Sequence, residues 1–128
     1  LENRIASITG VPVEMGEPTQ ILHYSTNAEY QPHYDYVPPG DAGSESHMDN
    51  GGQRGATCIT YLNTVSDGGE TEFPVLNLKV KPKRGSALFF EYIRTDNTLD
   101  HRTLHAGVPV KSGEKWIATK WMRERQHV

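Results

Sequence analysis

The 128 residues, with a mass of 14.3 kDa, are enough for one domain with its own hydrophobic core. A formal net charge of −3, without any cluster of lysines or arginines, argues against a general nucleic-acid-binding protein. The single cysteine, Cys58, excludes an internal disulfide and a cysteine-rich zinc site, and it favours a reducing compartment such as the cytoplasm without fixing the localisation. No stretch is apolar enough to cross a membrane or to serve as a signal peptide, and because the sequence begins without methionine we interpret it as part of a longer product.

The first nine residues predict a short amphipathic helix. Leu1, Ile5 and Ile8 recur at helical spacing, and Gly10 followed by Pro12 ends the pattern. Downstream, the apolar pattern changes to a period of two. The candidate strands there are short and rich in Thr, Tyr, Val, Ile or Trp, and they are Thr19–Tyr24, His33–Val37, Ala56–Leu62, Glu70–Phe73, Leu76–Val80, Ser86–Tyr92, Thr103–Ala106 and Lys115–Met122. Twelve glycines and eight prolines supply turns, so a mainly β, single-domain sandwich or jelly roll is predicted over residues 1–128.

One predicted loop is unusually long. Residues 38–54, PPGDAGSESHMDNGGQR, contain almost nothing apolar beyond Met48. Loops of this length without secondary structure are typical of functional covers or of unstructured surface insertions. Composition leaves both interpretations open.

The stretch EYQPHYDYVPPG places a histidine and an aspartate two residues apart in an aromatic, strand-like run. Because residues i and i+2 of a strand face the same way, His33 and Asp35 are expected to point together, with Tyr34 and Tyr36 on the opposite face. A further imidazole, for which His105 is the best candidate, would complete a set of two histidines and one carboxylate. Non-haem Fe(II) oxygenases use this ligand set, which leaves coordination positions open.

A His-x-Asp triplet alone is common and therefore weak evidence for a metal site. A rival interpretation pairs His101 with His105, four residues apart, as a zinc site on a helix. Thr103, Gly107 and Pro109 argue against a helix in that segment.

Independent support comes from Lys115, which opens the strand-like run KWIATKWM. Alternation puts Lys115, Ile117, Thr119 and Trp121 on one face, so Lys115 is interior if Ile117 is. A buried ammonium needs an anion, and a bound acid would provide one. The alternative is that Lys115 lies at the strand's edge and extends to water.

The sequence resembles the catalytic domain of collagen-type prolyl 4-hydroxylases, which are Fe(II)- and 2-oxoglutarate-dependent dioxygenases, and it is most similar in wording to bacterial members. The matching segments are ILHYSTNAEYQPHYDY, RGATCITYLN, GGETEFP, GSALFFEY and TLHAGVPVKSGEKWIATKWMRE, in the same order and with the same gaps over most of residues 10–123. The resemblance implies a double-stranded β-helix (jelly-roll) core behind the short N-terminal helix. The match begins near residue 1, so some N-terminal elements of the family are expected to be missing.

The resemblance also implies roles for particular residues. The expected iron ligands, which with Lys115 form the catalytic set, are His33, Asp35 and His105. The residues expected to bind 2-oxoglutarate, with the lysine on its distal carboxylate, are Lys115, Tyr24, Tyr61 and Thr119. The residues expected near the substrate proline are Tyr30, Arg54 and Trp121, and the 38–54 loop corresponds to a mobile cover.

The implied activity is hydroxylation of peptidyl proline at carbon 4, with 2-oxoglutarate converted to succinate and CO2. Its cofactors are Fe(II), 2-oxoglutarate and O2, with ascorbate as an accessory reductant, and its partner is a proline-containing peptide or protein rather than nucleic acid or a membrane. Whether the chain forms a homodimer is left open. The alternatives are the same chemistry on another substrate, a non-catalytic jelly-roll binding module, and a hydrolytic site for zinc or another divalent metal.

Overall fold

The structure, a computed structural model, describes residues 1–40 and 44–128. The strands are β1 (Gln20–Tyr24), β2 (Tyr30–His33), β3 (Arg54–Tyr61), β4 (Asp67–Gly68), β5 (Thr71–Phe73), β6 (Leu78–Val80), β7 (Ala87–Glu91), β8 (His105–Gly107), β9 (Val110–Ser112) and β10 (Lys115–Arg123). The helices are α1 (Glu2–Thr9) and α2 (Ser44–Asp49), and single 3₁₀ turns occupy Val13–Met15, Pro74–Leu76 and His101–Thr103. No helix in these described ranges is long and apolar enough to cross a membrane.

Two antiparallel sheets form a mainly β jelly roll, as the sequence predicts. The larger sheet has the strand order β1-β10-β3-β7, the smaller one has the order β2-β8-β5-β6, and β4 pairs with β9. The sheets pack face to face. Their shared core contains Ile59, Tyr61 and Ile117 of the larger sheet, against which Val80 of the smaller sheet packs. Burying these apolar faces provides the main driving force for the fold.

Helix α1 covers the outer face of the larger sheet. It ends as predicted, with Gly10 in the left-handed conformation at a φ of 77°. Ile5 packs against Ala56, Cys58 and Met122. Both faces of β10 are therefore buried along most of its length, although simple alternation would predict only one.

Several predicted boundaries were wrong, and the most important is the strand predicted over His33–Val37. Strand β2 ends at His33, and Asp35 lies in a bend beyond it. At the far end of the predicted strand, the backbone of Val37 bonds to a side chain rather than to a neighbouring strand: its N–H donates to Gln53 Oε1 at 2.7 Å, and its carbonyl accepts from Gln53 Nε2 at 2.7 Å.

The remaining differences are local. The 38–54 segment was predicted to be structureless, but α2 forms within it because residues 44–49 contain neither glycine nor proline. Leu76 and Thr103 lie in 3₁₀ turns rather than in strands. Strands β4 and β9 were not predicted, since each has only two or three residues and lacks a clear alternating pattern.

Candidate active site

Three possible metal-binding side chains converge at one end of the smaller sheet. His33 ends β2 and His105 begins β8, and these two residues lie directly opposite each other in the antiparallel register. The bend after β2 brings Asp35 Oδ1 to 3.2 Å from His33 Nε2 and 3.4 Å from His105 Nε2. The ligand atoms of the three residues all lie within 4.8 Å of one another, which is close enough for one ion.

Backbone carbonyls hold both imidazole rings in the orientation that a metal site needs. His33 Nδ1 lies 2.8 Å from the carbonyl oxygen of Gln31, and His105 Nδ1 lies 2.8 Å from that of Thr103. A carbonyl can only accept, so each Nδ1 carries the hydrogen and donates it. A ring that gives up its second proton carries its lone pair on Nε2, the atom that faces Asp35, and in that neutral form the donor set fits a divalent metal.

Asp35 is nearly buried, with 8% of its surface exposed. Burial raises the pKa of its carboxyl, but hydrogen bonds from His105, His33 and Thr57 outweigh this effect and hold the pKa well below the usual range. For His33, burial lowers the pKa, whereas the hydrogen bonds to Asp35 and to the Gln31 carbonyl raise it to a greater extent. Asp35 is therefore an anionic ligand at neutral pH.

The second carboxylate oxygen of Asp35 is occupied by donors from the larger sheet. Oδ2 accepts a hydrogen bond from Thr57 Oγ1 at 2.7 Å and another from Trp121 Nε1 at 3.1 Å. Thr57 and Trp121 are direct cross-strand neighbours on β3 and β10. Asp35 thus links the two sheets at the metal-binding end of the fold.

Lys115 is the first residue of β10, and the prediction that it is interior is confirmed by its exposure of only 3%. Burial lowers the pKa of its ammonium to about 8, and the charge of Glu70 opposes this effect only in part. Its Nζ lies 5.0 Å from the centre of the Tyr24 ring. Within the described part of the chain, no ion pair to a carboxylate offsets the cost of burying this charge.

One cavity connects the lysine with the three possible metal ligands. Its volume of about 140 Å³ is many times the roughly 10–15 Å³ that a single water requires, so a small diacid is a reasonable occupant. The predicted site residues that line it are His33, Asp35, His105, Lys115, Tyr24, Thr119, Tyr30 and Trp121. Burial, followed by the nearby Tyr30 and Asp35, raises the pKa of Tyr24 to about 12, so its hydroxyl keeps its proton at neutral pH.

Two predicted site residues, Tyr61 and Arg54, do not line the cavity. Tyr61 is 1% exposed, and its hydroxyl lies 2.7 Å from Thr71 Oγ1, so Thr71 lines the cavity in its place. Arg54 forms two hydrogen bonds to the carboxylate of Glu17, at 2.6 and 2.9 Å, and its guanidinium lies 4.3 Å from the centre of the Trp121 ring. Arg54 therefore packs on the ring of Trp121, which does line the cavity.

At the mouth of the cavity, Tyr30 is 47% exposed, and the centre of its ring lies 4.0 Å from that of His33. The rival histidine pair is not supported, because His101 sits in a 3₁₀ turn with its Nδ1 3.2 Å from the hydroxyl of Tyr36. Tyr34 and Tyr36 share a face, as expected, and their rings stack at 4.7 Å.

The predicted cover over residues 38–54 includes residues 41–43, which lie outside the described residues. Of residues 38–40, 46 and 48–54, whose side chains the structure describes, none lines the cavity. Its C-terminal end is fixed: Gly52 N–H donates to the Met48 carbonyl, and Gln53 is 6% exposed and bonded to Val37. The role of this segment as a cover stays a prediction.

Sequence reasoning missed Thr57, Tyr92 and Glu17, all of which support the site. Thr57 is completely buried and lies 2.9 Å from the Tyr92 hydroxyl. A signal for Thr57 was available, because alternation in β3 turns it inward with Ile59 and Tyr61, and a buried hydroxyl requires a polar partner. Glu17 lies outside any strand, and nothing local in the sequence marks it.

The sequence profile described as "2OG-Fe(II) oxygenase superfamily" matches residues 19–123. "Probable prolyl 4-hydroxylase 3" of Arabidopsis thaliana is 43% identical over 141 residues, a match that covers 95% of this chain and 47% of the plant protein. The crystal structure of viral collagen prolyl hydroxylase from Paramecium Bursaria Chlorella virus-1, in complex with 2OG, gives a TM-score of 0.72 at 41% identity and covers 84% of this chain and 59% of that one.

A Pseudomonas putida prolyl-4-hydroxylase shares the fold, with a TM-score of 0.58 at 22% identity over 84% of this chain and 52% of that one. This bacterial enzyme is less similar to the chain than the plant and viral proteins are, and the expected likeness to bacterial members stays a prediction. The chain spans about half the length of the plant relative that it matches.

Proposed function

Because the chain belongs to the 2OG-Fe(II) oxygenase superfamily, we propose that it forms the catalytic core of a dioxygenase that hydroxylates peptidyl proline at carbon 4. In this reaction O2 and 2-oxoglutarate are consumed, and succinate and CO2 are released. One oxygen atom enters succinate and the other becomes the hydroxyl group of the product. The observation that carries the proposal is the placement of His33, Asp35, His105 and the buried Lys115 around one cavity.

The metal site rests on the chemistry of its donor set. His33 and His105 offer neutral Nε2 atoms, and Asp35 offers the anionic Oδ1. Two imidazoles and a carboxylate are the donor set of non-haem Fe(II) sites, so these three residues would hold Fe(II). When bound, the iron supplies the oxidising chemistry with O2 that side chains alone do not provide.

The proposed binding site for 2-oxoglutarate is inferred from the buried positive charge of Lys115. Lys115 is a buried cation without an ion-pair partner in the described residues, so the distal carboxylate of 2-oxoglutarate would offset its desolvation. The Thr119 hydroxyl, on a side chain only 4% exposed, and the protonated Tyr24 hydroxyl add hydrogen-bond donors along the same cavity. These groups bind and orient the diacid and exclude water around it.

The substrate class rests on the relatives and on the mouth of the cavity. The plant relative is named as a probable prolyl 4-hydroxylase, and the viral structure is named as a collagen prolyl hydroxylase. Tyr30 and Trp121 both line the cavity. Flat aromatic surfaces of this kind bind proline-rich segments, whose extended conformation is largely preformed.

The test is succinate formation from 2-oxoglutarate with Fe(II), measured with and without a panel of collagen-like, elastin-like and other proline-containing peptides. We expect peptide-dependent succinate and peptides that gain one oxygen atom on proline. Oxygen gained on another residue would support the same chemistry with a different substrate. A chain that binds the metal but releases no succinate with any peptide would contradict the proposal and favour a non-catalytic binding module.

A further inference from the structure

The carboxylate of Asp35 is held asymmetrically, with its two oxygens in different environments. Oδ1 faces the Nε2 atoms of His33 and His105, whereas Oδ2 accepts hydrogen bonds from Thr57 Oγ1 and Trp121 Nε1. With two donors on Oδ2, its two lone pairs are used. Oδ1 is then the oxygen that remains available to an ion.

The hydroxyl groups of Tyr92 and Thr57 form a series of hydrogen bonds that leads to Asp35, and the donor in each bond can be assigned. Thr57 has one hydroxyl proton and lies 2.7 Å from the carboxylate oxygen and 2.9 Å from the Tyr92 hydroxyl. An ionised carboxylate can only accept, so Thr57 gives its proton to Asp35 and must accept from Tyr92. Tyr92 and Thr57 are 1% and 0% exposed, so water does not compete for these bonds.

We propose that Thr57 and Tyr92 are positioning residues that select Oδ1 of Asp35 as the single carboxylate oxygen offered to the metal. This inference rests on the metal site of the proposed function. With Oδ1 alone, Asp35 and the two imidazoles would hold the ion through three atoms, whereas a carboxylate that used both oxygens would occupy one more position. The positions left free would be available to the cosubstrate and to O2.

Strand β3 offers a matched set of variants, and Tyr92 offers one more. Thr57→Val keeps the shape of the side chain and removes the donor, whereas Thr57→Ser keeps the donor. Thr60→Val makes the same chemical change three residues along β3, on the opposite face of the sheet. Tyr92→Phe removes the outer donor and leaves the bond from Thr57 to Asp35 in place.

The experiment titrates the anaerobic apoprotein with Co(II) and follows the visible d–d absorption of the bound ion. For Thr57→Val we expect Co(II) affinity about 10-fold weaker or more, which is the usual effect of losing a group that orients a ligand. We also expect a shifted d–d band, because this band reports the oxygen atoms around the ion. Thr57→Ser and Thr60→Val should match the unmodified chain, and Tyr92→Phe should lose less affinity than Thr57→Val.

Removing the hydroxyl of Thr57 also leaves the Tyr92 hydroxyl buried without its acceptor, so Thr57→Val is expected to fold less stably. Urea unfolding of each apoprotein therefore accompanies the titration, and affinity is compared only under conditions in which every variant is folded. An affinity for Thr57→Val within twofold of the unmodified chain would overturn the proposal. So would weaker binding with an unshifted band, which would assign Thr57 to folding alone.

A larger loss of Co(II) affinity in Tyr92→Phe than in Thr57→Val would contradict the assigned donor order, in which Tyr92 donates to Thr57 and Thr57 donates to Asp35. An unmodified chain without a Co(II) site would overturn this inference and the metal site together. By contrast, an unmodified chain that binds Co(II) as expected but forms no succinate with Fe(II) would overturn only the proposed activity.

Discussion

Replacing Lys115 with methionine is expected to make the metal-free, ligand-free protein more stable while it abolishes binding of the cosubstrate. Burial lowers the pKa of Lys115 from 10.5 to about 8. At about 1.4 kcal/mol for each pKa unit, holding the charged form in the folded state at neutral pH costs on the order of 3 kcal/mol. Methionine has a similar length and no charge, so we expect the free energy of unfolding to rise by about 1–3 kcal/mol in Lys115→Met.

The pH dependence of stability shows whether burial of the Lys115 charge causes the difference between the two proteins. Between about pH 8 and 10.5, the unfolded chain binds a proton at Lys115 that the folded chain has released, so this residue makes stability rise with pH over that interval. The stability advantage of Lys115→Met should therefore be greatest near neutral pH and shrink as the pH approaches about 10. Tyr24, whose pKa is raised to about 12, titrates in both proteins and largely cancels in the comparison.

The assay is urea unfolding of the two proteins across this pH range, repeated with a redox-inert divalent metal and 2-oxoglutarate. At 100 times its dissociation constant, a ligand adds about 2.7 kcal/mol, and we expect this gain in the unmodified chain but not in Lys115→Met. Lys120→Met is the matched control, because Lys120 is equally buried on β10 but pairs with Glu2 at 3.1 Å. That variant should lose stability and keep its response to 2-oxoglutarate. If Lys115→Met is less stable than the unmodified chain at neutral pH, or if 2-oxoglutarate still stabilises it, the argument from charge burial is wrong.

The other predictions concern the metal, an ion pair and the core. Both His33→Ala and His105→Ala should lose Co(II) binding and succinate formation, whereas His23→Ala, which alters an exposed histidine paired with a glutamate, should retain both. Burial alone would raise the pKa of Glu17, but hydrogen bonds from two arginines outweigh burial, and the pKa in the folded protein is lowered. The ionised Glu17 therefore stabilises the fold above its unfolded pKa, and this stabilisation is lost as the pH falls through its pKa in the folded protein. Unfolding free energies measured from pH 7 down to about 3 should therefore fall less steeply for Glu17→Gln, which is already less stable at pH 7; parallel curves would contradict this. Ile117→Ala, at a core position 5% exposed, should cost about 2–5 kcal/mol in urea unfolding, and a cost below about 1 kcal/mol would show that the site is not close-packed.

The sequence pattern correctly predicted that Asp35 lies beside His33, but it assigned the wrong backbone conformation to Asp35. The i, i+2 rule placed it beside His33 on a continuous strand, but the strand ends at His33 and a bend brings the carboxylate back. The side chain of Gln53, which takes both backbone hydrogen bonds of Val37, lies 16 residues beyond Val37 in the chain. Local periodicity carries no information about such a partner.

The sequence by itself determined the features that depend on short-range patterns or on whole motifs. These are the N-terminal helix ending at Gly10, the mainly β architecture, the inward face of Lys115 and the family to which the chain belongs. They were readable because alternation, helical spacing and turn residues act over a few positions.

Only the tertiary structure decided how the strands are ordered and which side chains meet across the sheets. Sheet order and register placed Thr57 opposite Trp121, so that both donate to Oδ2 of Asp35. The bonds from Arg54 to Glu17 hold the guanidinium of Arg54 against the Trp121 ring. The packing of α1 on the larger sheet buried the second face of β10. Contacts of this kind join residues far apart in the chain, and their pairing depends on how the whole core packs rather than on any local period.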